Sequence, residues 1–207
     1  MKIGINGFGR IGRLAFRVIT EWPELCVTQV NDPAGDAECM AHLLNFDSVH
    51  GRWHKTADSN DTALQIGAQT IRYSRNQRIQ DTDWSDCDLV IEASGRFKDP
   101  DVLSEYLHQG VQRVVVCAPV KHPDVLNIVR GVNDHLFDPA KHSIVTAASC
   151  TTNCLAPVVK VIHGKLGIRH GSITTIHDIT NTQRILDTPH KDLRRARACG
   201  MSLIPTT

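Results

Sequence analysis

The chain has 207 residues, 41% of them hydrophobic, and carries 23 Lys and Arg against 22 Asp and Glu, a net charge of +1. That is length for one large domain or two modest ones, and the balance excludes both disorder and a basic nucleic-acid footprint. No apolar run approaches the roughly 20 residues of a membrane span. The start, Met1-Lys2-Ile3-Gly4-Ile5-Asn6, leads into glycines rather than a signal-peptide core.

Residues 2–6 read as a short buried strand. Gly7-Phe8-Gly9-Arg10-Ile11-Gly12 follows, a complete GxGxxG. Ile11, Leu14, Ala15, Val18 and Ile19 then recur at helical spacing, with Pro23 as the stop. Leu25–Val30 is the next strand, and Asp32 lies 20 residues beyond Gly12. A GxGxxG in strand–turn–helix–strand context, with an acid at that distance, is a dinucleotide-binding signature. Its first glycine makes the tight turn, its second lets backbone approach a pyrophosphate, and its third lets helix and strand pack closely. The helix start then offers N–H groups and a positive dipole end to the phosphates. Asp32 accepts from the adenosine ribose hydroxyls and repels a 2′-phosphate. No arginine adjoins it, so NAD is expected over NADP.

The segment 45–85, rich in Asp, Asn, Gln and Ser, is expected to hold loops and short strands inserted into the nucleotide fold. Asp88–Ala93 is a buried strand leading into Ser94 and Gly95. Residues 99–109 are a predicted helix with Pro100 in its first turn, Val114–Cys117 a strand, and Asn127–Gly131 another. Strands separated by helices imply a mostly parallel, doubly wound sheet. Ligands bind beyond the carboxyl ends of such strands, where the glycine turn, Asp32, Ser94 and Gly95 all fall. The expectation is therefore an α/β chain, with a Rossmann-type nucleotide domain over 1–148 and the start of an α+β catalytic domain over 149–207.

The apolar run 143–148 gives way at Ser149-Cys150-Thr151-Thr152-Asn153-Cys154 to a helix patterned by Leu155, Val158, Val159, Ile162 and Leu166. Pro157 blurs its beginning, and Ser149 or Thr151 could cap it. A thiol in a first helical turn is easier to ionise. His177, 27 residues on, has the pKa range of a base for that thiol. Cysteine plus histidine does not by itself decide for catalysis over packing. Seven scattered cysteines, an odd number, do not make a disulfide framework, which points to a reducing cytoplasm. With no HExxH among the histidines and no CxxC, no metal site is expected.

The segments 2–13, Asn31-Asp32, Phe46-Asp47-Ser48-Val49-His50-Gly51, Ser94-Gly95-Arg96-Phe97, Gly131-Val132-Asn133 and 148–157, in that order and spacing, resemble the phosphorylating glyceraldehyde-3-phosphate dehydrogenase family. The resemblance implies that Cys150 is the nucleophile and His177 its base. It also implies that Ser149, Thr151 and Thr180 serve the anion sites, and that Arg75 joins Gly7 to Gly12, Asp32, Ser94 and Gly95 around NAD. Cys154, one turn past Cys150, is expected to pack rather than react. The implied reaction converts an aldehyde phosphate to a thioester, which inorganic phosphate cleaves to an acyl phosphate, with the backbone N–H of Cys150 as an oxyanion donor. The basic loop 188–198 is either a solvated face or, as the family suggests, a contact along a neighbouring subunit in a homotetramer. Arg197 within it is the weaker candidate for substrate phosphate.

Some residues depart from the family pattern. Val120 stands where a serine is usual, which removes a polar contact near the nicotinamide. Ala147 replaces a common asparagine. Asp178 after His177 is similar to erythrose-4-phosphate dehydrogenases. Residues 31–37 and 47–53 resemble a branch associated with arsenic resistance, in which arsenate takes the place of phosphate. Family members run on for more than a hundred residues past Thr207. The missing part would hold the remaining anion-site residues, and a chain that ends there could be an NAD-binding remnant without turnover.

Overall fold

A computed structural model describes residues 1–205 of the chain. It divides into two compact units, Met1–Lys165 and Leu166–Thr207. The first is built on a sheet that starts with β1 (Lys2–Asn6), crosses through α1 (Arg10–Ile19) and returns as β2 (Cys26–Asn31), parallel to β1. β1 is buried from Ile3 to Asn6, as a strand covered on both faces must be. Gly4 is obligatory in it, because a Cβ there would lie 2.8 Å from the Trp84 ring.

α1 forms where predicted, but it buries a different face. Gly12, Phe16 and Ile19 point to the sheet, whereas Ile11 and Val18 are 55% and 60% exposed. The cause is Gly12: a Cβ on it would meet the Gly7 carbonyl oxygen at 2.0 Å, so this residue sets the side on which the helix touches the strand. Residues four and seven further on share that side, and Ile11 and Val18 fall away from it.

α2 (Ala37–Asn45) was not foreseen. Asp36 caps it by accepting from Cys39 N at 2.8 Å, and Ala37, Met40, Ala41 and Leu44 form its buried stripe. The expected insertion then proves more regular than loops. β3 (Phe46–Asp47) and β4 (Gly51–Arg52) make a small ribbon. β5 (Ala57–Asn60), β6 (Ala63–Ile66) and β7 (Gln69–Ser74) form an antiparallel meander whose last strand pairs parallel with β2. Gly67, at φ +58°, makes the tight β6–β7 turn.

β8 (Leu89–Glu92) pairs with the other side of β1. α3 (Pro100–His108) follows, capped by Asp99 with Pro100 at its start, and then β9 (Arg113–Val116). β10 (Leu126–Asn127) and β11 (Ile144–Thr146) complete the sheet in the order β10-β11-β9-β8-β1-β2-β7-β6-β5. The strand expected at 127–131 stops after Asn127. Asn133 takes the Val129 N–H at 2.7 Å on its side-chain oxygen and donates to Asn127 O at 2.9 Å, curling the chain before Gly131 (φ +77°).

From β11 the chain enters α4 (Cys150–Leu166), the expected helix, with Pro157 inside it and none of its residues fully buried. Cys154 is exposed rather than packed. Beyond it, the second unit holds one 3-10 turn at Leu193–Arg195 and an isolated bridge between Arg184 and Ala198 among its described residues. Among the described residues, no helix is long and apolar enough to cross a membrane.

Candidate active site

β10, β11, β9, β8, β1, β2 and β7 all run parallel. Their carboxyl ends therefore lie on one edge of the sheet. That edge collects Gly7 to Gly12 after β1, Asp32 after β2, Ser94 and Gly95 after β8, and Cys150 after β11. The winding reverses beside β1, between β2 and β8, the switch point at which such sheets bind ligands.

The glycine turn has the shape its chemistry asks for. Gly7 sits at φ +90°, and a Cβ on it would lie 2.3 Å from Ser94 N, so the first turn rests on the backbone of the third. Gly9, by contrast, has nothing within 4 Å of a would-be Cβ. This is open space beside bare backbone, the condition under which backbone can approach a pyrophosphate. The start of α1 has no side-chain cap and no acid in its first turn, so it favours an anion. Phe8 is buried and packs edge-on against Phe16, with ring centroids 5.6 Å apart, which anchors the turn.

Asp32 Oδ2 accepts from Phe8 N at 2.6 Å, and Oδ1 from Ala34 N at 2.8 Å. Asp32 therefore ties down the glycine turn, a link that spacing alone did not reveal. Arg10 donates to Asp47 Oδ2 at 2.7 Å, and Ile11 stands exposed beside it in the first turn. Ser94 gives both its N–H and its hydroxyl to Glu92. Gly95 is left-handed at φ +71°, with open space around it. Arg75 follows β7 and lines a polar cavity of about 660 Å³ with Asp36, Glu38 and His42.

Asp47 is a buried carboxylate that the sequence reading did not single out. The His50 and Val49 N–H groups and Arg10 hold it well below the usual carboxylate range, against the cost of its burial. It stabilises the fold fully above the ordinary carboxylate pKa of about 4, and that contribution is lost as pH falls. Asp47→Asn should lower the thermal midpoint at pH 7, with the gap from wild type narrowing below pH 4. A gap that widens in acid would contradict this account.

At Cys150 the backbone is strained. Ala148 sits at φ +55°, a left-handed conformation costing on the order of 1–2 kcal/mol for a residue with a Cβ. Its neighbours enforce it. Thr146 Oγ1 takes the Ala148 N–H at 2.9 Å, and Asn153 Nδ2 grips the carbonyls of Ala147 and Ser149 at 2.7 and 2.9 Å. Ser149, not Thr151, is the cap, accepting from Thr152 N at 3.0 Å. Cys150 is thereby the first residue of α4 and is exposed, with Thr151 half-buried next to it. A largely apolar cavity of about 510 Å³ opens beside Ser149, lined by Val120, Asn127 and Ala148. Val120 itself is buried, in keeping with its replacement of a serine.

In the second unit His177 lines a cavity of about 490 Å³ with Thr175, Gln183 and Cys199. Its Nδ1 lies 2.7 Å from the Asp178 carbonyl oxygen. A carbonyl only accepts, so Nδ1 carries a proton, and in the neutral ring Nε2 holds the lone pair. Thr180 is engaged in its own turn, its N–H donating to Gln183 Oε1 at 2.5 Å. Arg197 pairs with Asp187 at 2.9 Å.

Besides Asp47, sequence reasoning passed over Asn6, Asn31, Glu92, Ala148 and Asn153. The signal for three of them was present: strands otherwise apolar at their ends close on Asn6, Asn31 and Glu92.

A glycine turn at the switch point of a doubly wound parallel sheet defines the class of dinucleotide-binding folds. Comparison with known proteins places the chain in a family of that class. Residues 1–100 match "Glyceraldehyde 3-phosphate dehydrogenase, NAD binding domain", and residues 149–207 match the same family's C-terminal domain. The whole chain is 56% identical to glyceraldehyde-3-phosphate dehydrogenase 3 of a Nostoc strain and 46% identical to the enzyme of Geobacillus stearothermophilus, covering 62% of each. It is 44% identical to glyceraldehyde-3-phosphate dehydrogenase 2 of Bacillus subtilis, covering 61% of it. The chain belongs to the glyceraldehyde-3-phosphate dehydrogenase family, with NAD as its cofactor, and spans about three-fifths of the length of these curated relatives.

Proposed function

We propose that the chain serves an NAD-dependent, phosphorylating oxidation of glyceraldehyde 3-phosphate, with Cys150 as nucleophile and His177 as base. The observation that carries this reading is the open glycine turn and the helix-start cysteine on one edge of one parallel sheet. Bound NAD, held by Gly7 to Gly12, Asp32, Arg75, Ser94 and Gly95, supplies the hydride acceptor. The Cys150 sulfur adds to the aldehyde carbon to give a hemithioacetal. His177 Nε2 takes the hydroxyl proton as that carbon gives up hydride, leaving a thioester on Cys150. An oxygen of inorganic phosphate attacks the thioester carbonyl, the C–S bond breaks, and an acyl phosphate departs from the regenerated thiolate. Ser149, Thr151 and Thr180 serve the two anions. The catalytic domain begins at Ser149, a boundary supported by the C-terminal domain match.

Arsenate has the shape and charge of phosphate, so the same residues accept it, and residues 31–37 and 47–53 favour the arsenic-resistance branch. We place the enzyme in the cytoplasm as a homotetramer, with 188–198 along a neighbouring subunit. The test is NADH formation by the purified chain with three- and four-carbon aldehyde phosphates, each with phosphate or arsenate. Turnover of glyceraldehyde 3-phosphate supports the reading, and faster turnover of the four-carbon substrate redirects it to an erythrose-4-phosphate dehydrogenase. NAD binding without turnover of either leaves a binding protein.

Asp32 sets the cofactor preference. Asp32→Ala should narrow the gap between NAD and NADP while weakening both, because the carboxylate also holds the Phe8 N–H. Calorimetric titration reads this directly, and equal binding of both cofactors by the unmodified chain would refute the assignment.

A further inference from the structure

Three strand ends carry the cofactor groups, and each closes on a buried polar side chain: Asn6, Asn31 and Glu92. These side chains are joined. Arg72 Nε donates to Gln29 Oε1 at 3.1 Å, and Gln29 Nε2 donates to Ser74 Oγ at 3.0 Å. Ser74 Oγ donates to Asn31 Oδ1, and Asn31 Nδ2 to Asn6 Oδ1, both at 2.8 Å. Asn6 Nδ2 donates in turn to Glu92 Oε2 at 2.8 Å. The chain of bonds thus crosses β7, β2, β1 and β8 in a single direction, from a group that can only donate to a carboxyl that accepts at both oxygens.

That polarity is fixed at its ends, since a guanidinium has no acceptor and an ionised carboxylate no donor. Turning over any amide between them would set N–H against N–H, or oxygen against oxygen, inside the protein. Glu92 is 1% exposed. It also accepts from Tyr106 OH at 2.6 Å, from Ser94 N at 2.8 Å and from the Ser94 hydroxyl. Burial pushes its carboxyl above the ordinary range, and these donors offset only part of that rise.

We propose that Glu92 is a positioning residue for the cofactor site, its carboxyl setting the direction of the hydrogen-bond chain that holds the ends of β1, β2 and β8 in register. Each end leads straight into the site. Asn6 precedes Gly7, whose N–H donates to Asn31 O at 2.8 Å. Asn31 precedes Asp32, and Glu92 holds the Ser94 backbone against which Gly7 turns. Glu92 acts through these residues. The inference rests on the NAD-binding reading of the edge.

The test moves the charge along the chain of bonds. In Glu92→Gln the new amide N–H faces the Asn6 N–H, so NAD binding should weaken about tenfold or more. In the double variant Asn6→Asp, Glu92→Gln, the residue 6 carboxylate accepts from the new amide, from Tyr106 and from Asn31, and every link beyond it keeps its direction. Calorimetric titration of the full chain with NAD should then return to within about threefold of wild type. A defect of packing alone would not be repaired by a second substitution. Should Glu92→Gln fail to fold, the double variant still has to fold and bind. Undiminished binding by a folded Glu92→Gln, or a double variant no better than it, overturns the positioning role alone. Failure of the unmodified chain to bind NAD overturns the reading of the site, and this role with it.

Discussion

Brief treatment of the native chain with limiting iodoacetamide should label Cys150 ahead of the other six cysteines. Alkylation needs a thiolate and access to it. Cys87 is buried and Cys117 half-buried; burial raises both thiols, that of Cys117 to about 11. Cys199 is half-buried, which leaves Cys26, Cys39 and Cys154 as exposed competitors. Cys39 also sits in a first helical turn, but its N–H is taken by Asp36 and Glu38 adjoins it, so two acids oppose a thiolate there. Cys154 is one turn further into α4, beyond the strongest reach of the dipole. Only Cys150 combines exposure, the first helical position and a first turn without acids. Peptide mapping of the labelled protein decides the matter: label accumulating first on Cys26, Cys39, Cys154 or Cys199 would show that the helix start does not activate this thiol. With substrate, Cys150→Ser should abolish NADH formation while leaving NAD affinity within about twofold, because Cys150 follows β11, three strands along the sheet from β1 and its glycine turn. His177→Asn should slow hydride transfer by about 10²–10⁴-fold, the usual contribution of a general base.

The glycines of the turn should separate folding from binding. Gly12→Ala places a methyl 2.0 Å from the Gly7 carbonyl oxygen, a backbone atom that cannot yield without moving α1 off the sheet. A loss of several kcal/mol is expected, enough to leave much of the protein unfolded. Gly9→Ala meets nothing within 4 Å, so the fold should tolerate it with little change in thermal midpoint. Its methyl would nevertheless occupy the space where bare backbone faces the pyrophosphate, and NAD affinity should fall about tenfold or more. Thermal denaturation and calorimetric titration, run on both variants, read the two effects apart. Wild-type NAD affinity in Gly9→Ala would mean that the phosphates bind elsewhere.

Features that local chemistry enforces were legible along the chain. Backbone at φ +90°, or so close to a carbonyl that a Cβ would lie 2.0 Å from its oxygen, needs glycine, so the GxGxxG marked the turn at Gly7 and the start of α1. Apolar runs broken by a cap or a proline marked β1, β2, β8, β9, α3 and α4, and with them the place of Cys150 at a helix start. The tertiary structure decided what depends on partners distant in the chain. Gly12 against Gly7 turned α1 so that Ile11 and Val18, apolar and regularly spaced, face outward. α2 carried a cap and a buried stripe that went unread, since its stripe became visible only once β5 lay against it. The insertion became three strands of the main sheet because β7 found an open edge on β2. Asn127 and Asn133 ended a strand that composition favoured, because one side chain can satisfy the backbone groups a neighbouring strand would have paired. Ala148 gave no sign of its left-handed turn, since the groups that hold it come from Thr146 and Asn153 only when β11 and α4 are in place. The direction of the bonds from Arg72 to Glu92 was equally invisible, because each amide in it is polar in either orientation. Only the charged ends, brought together across four strands, choose one.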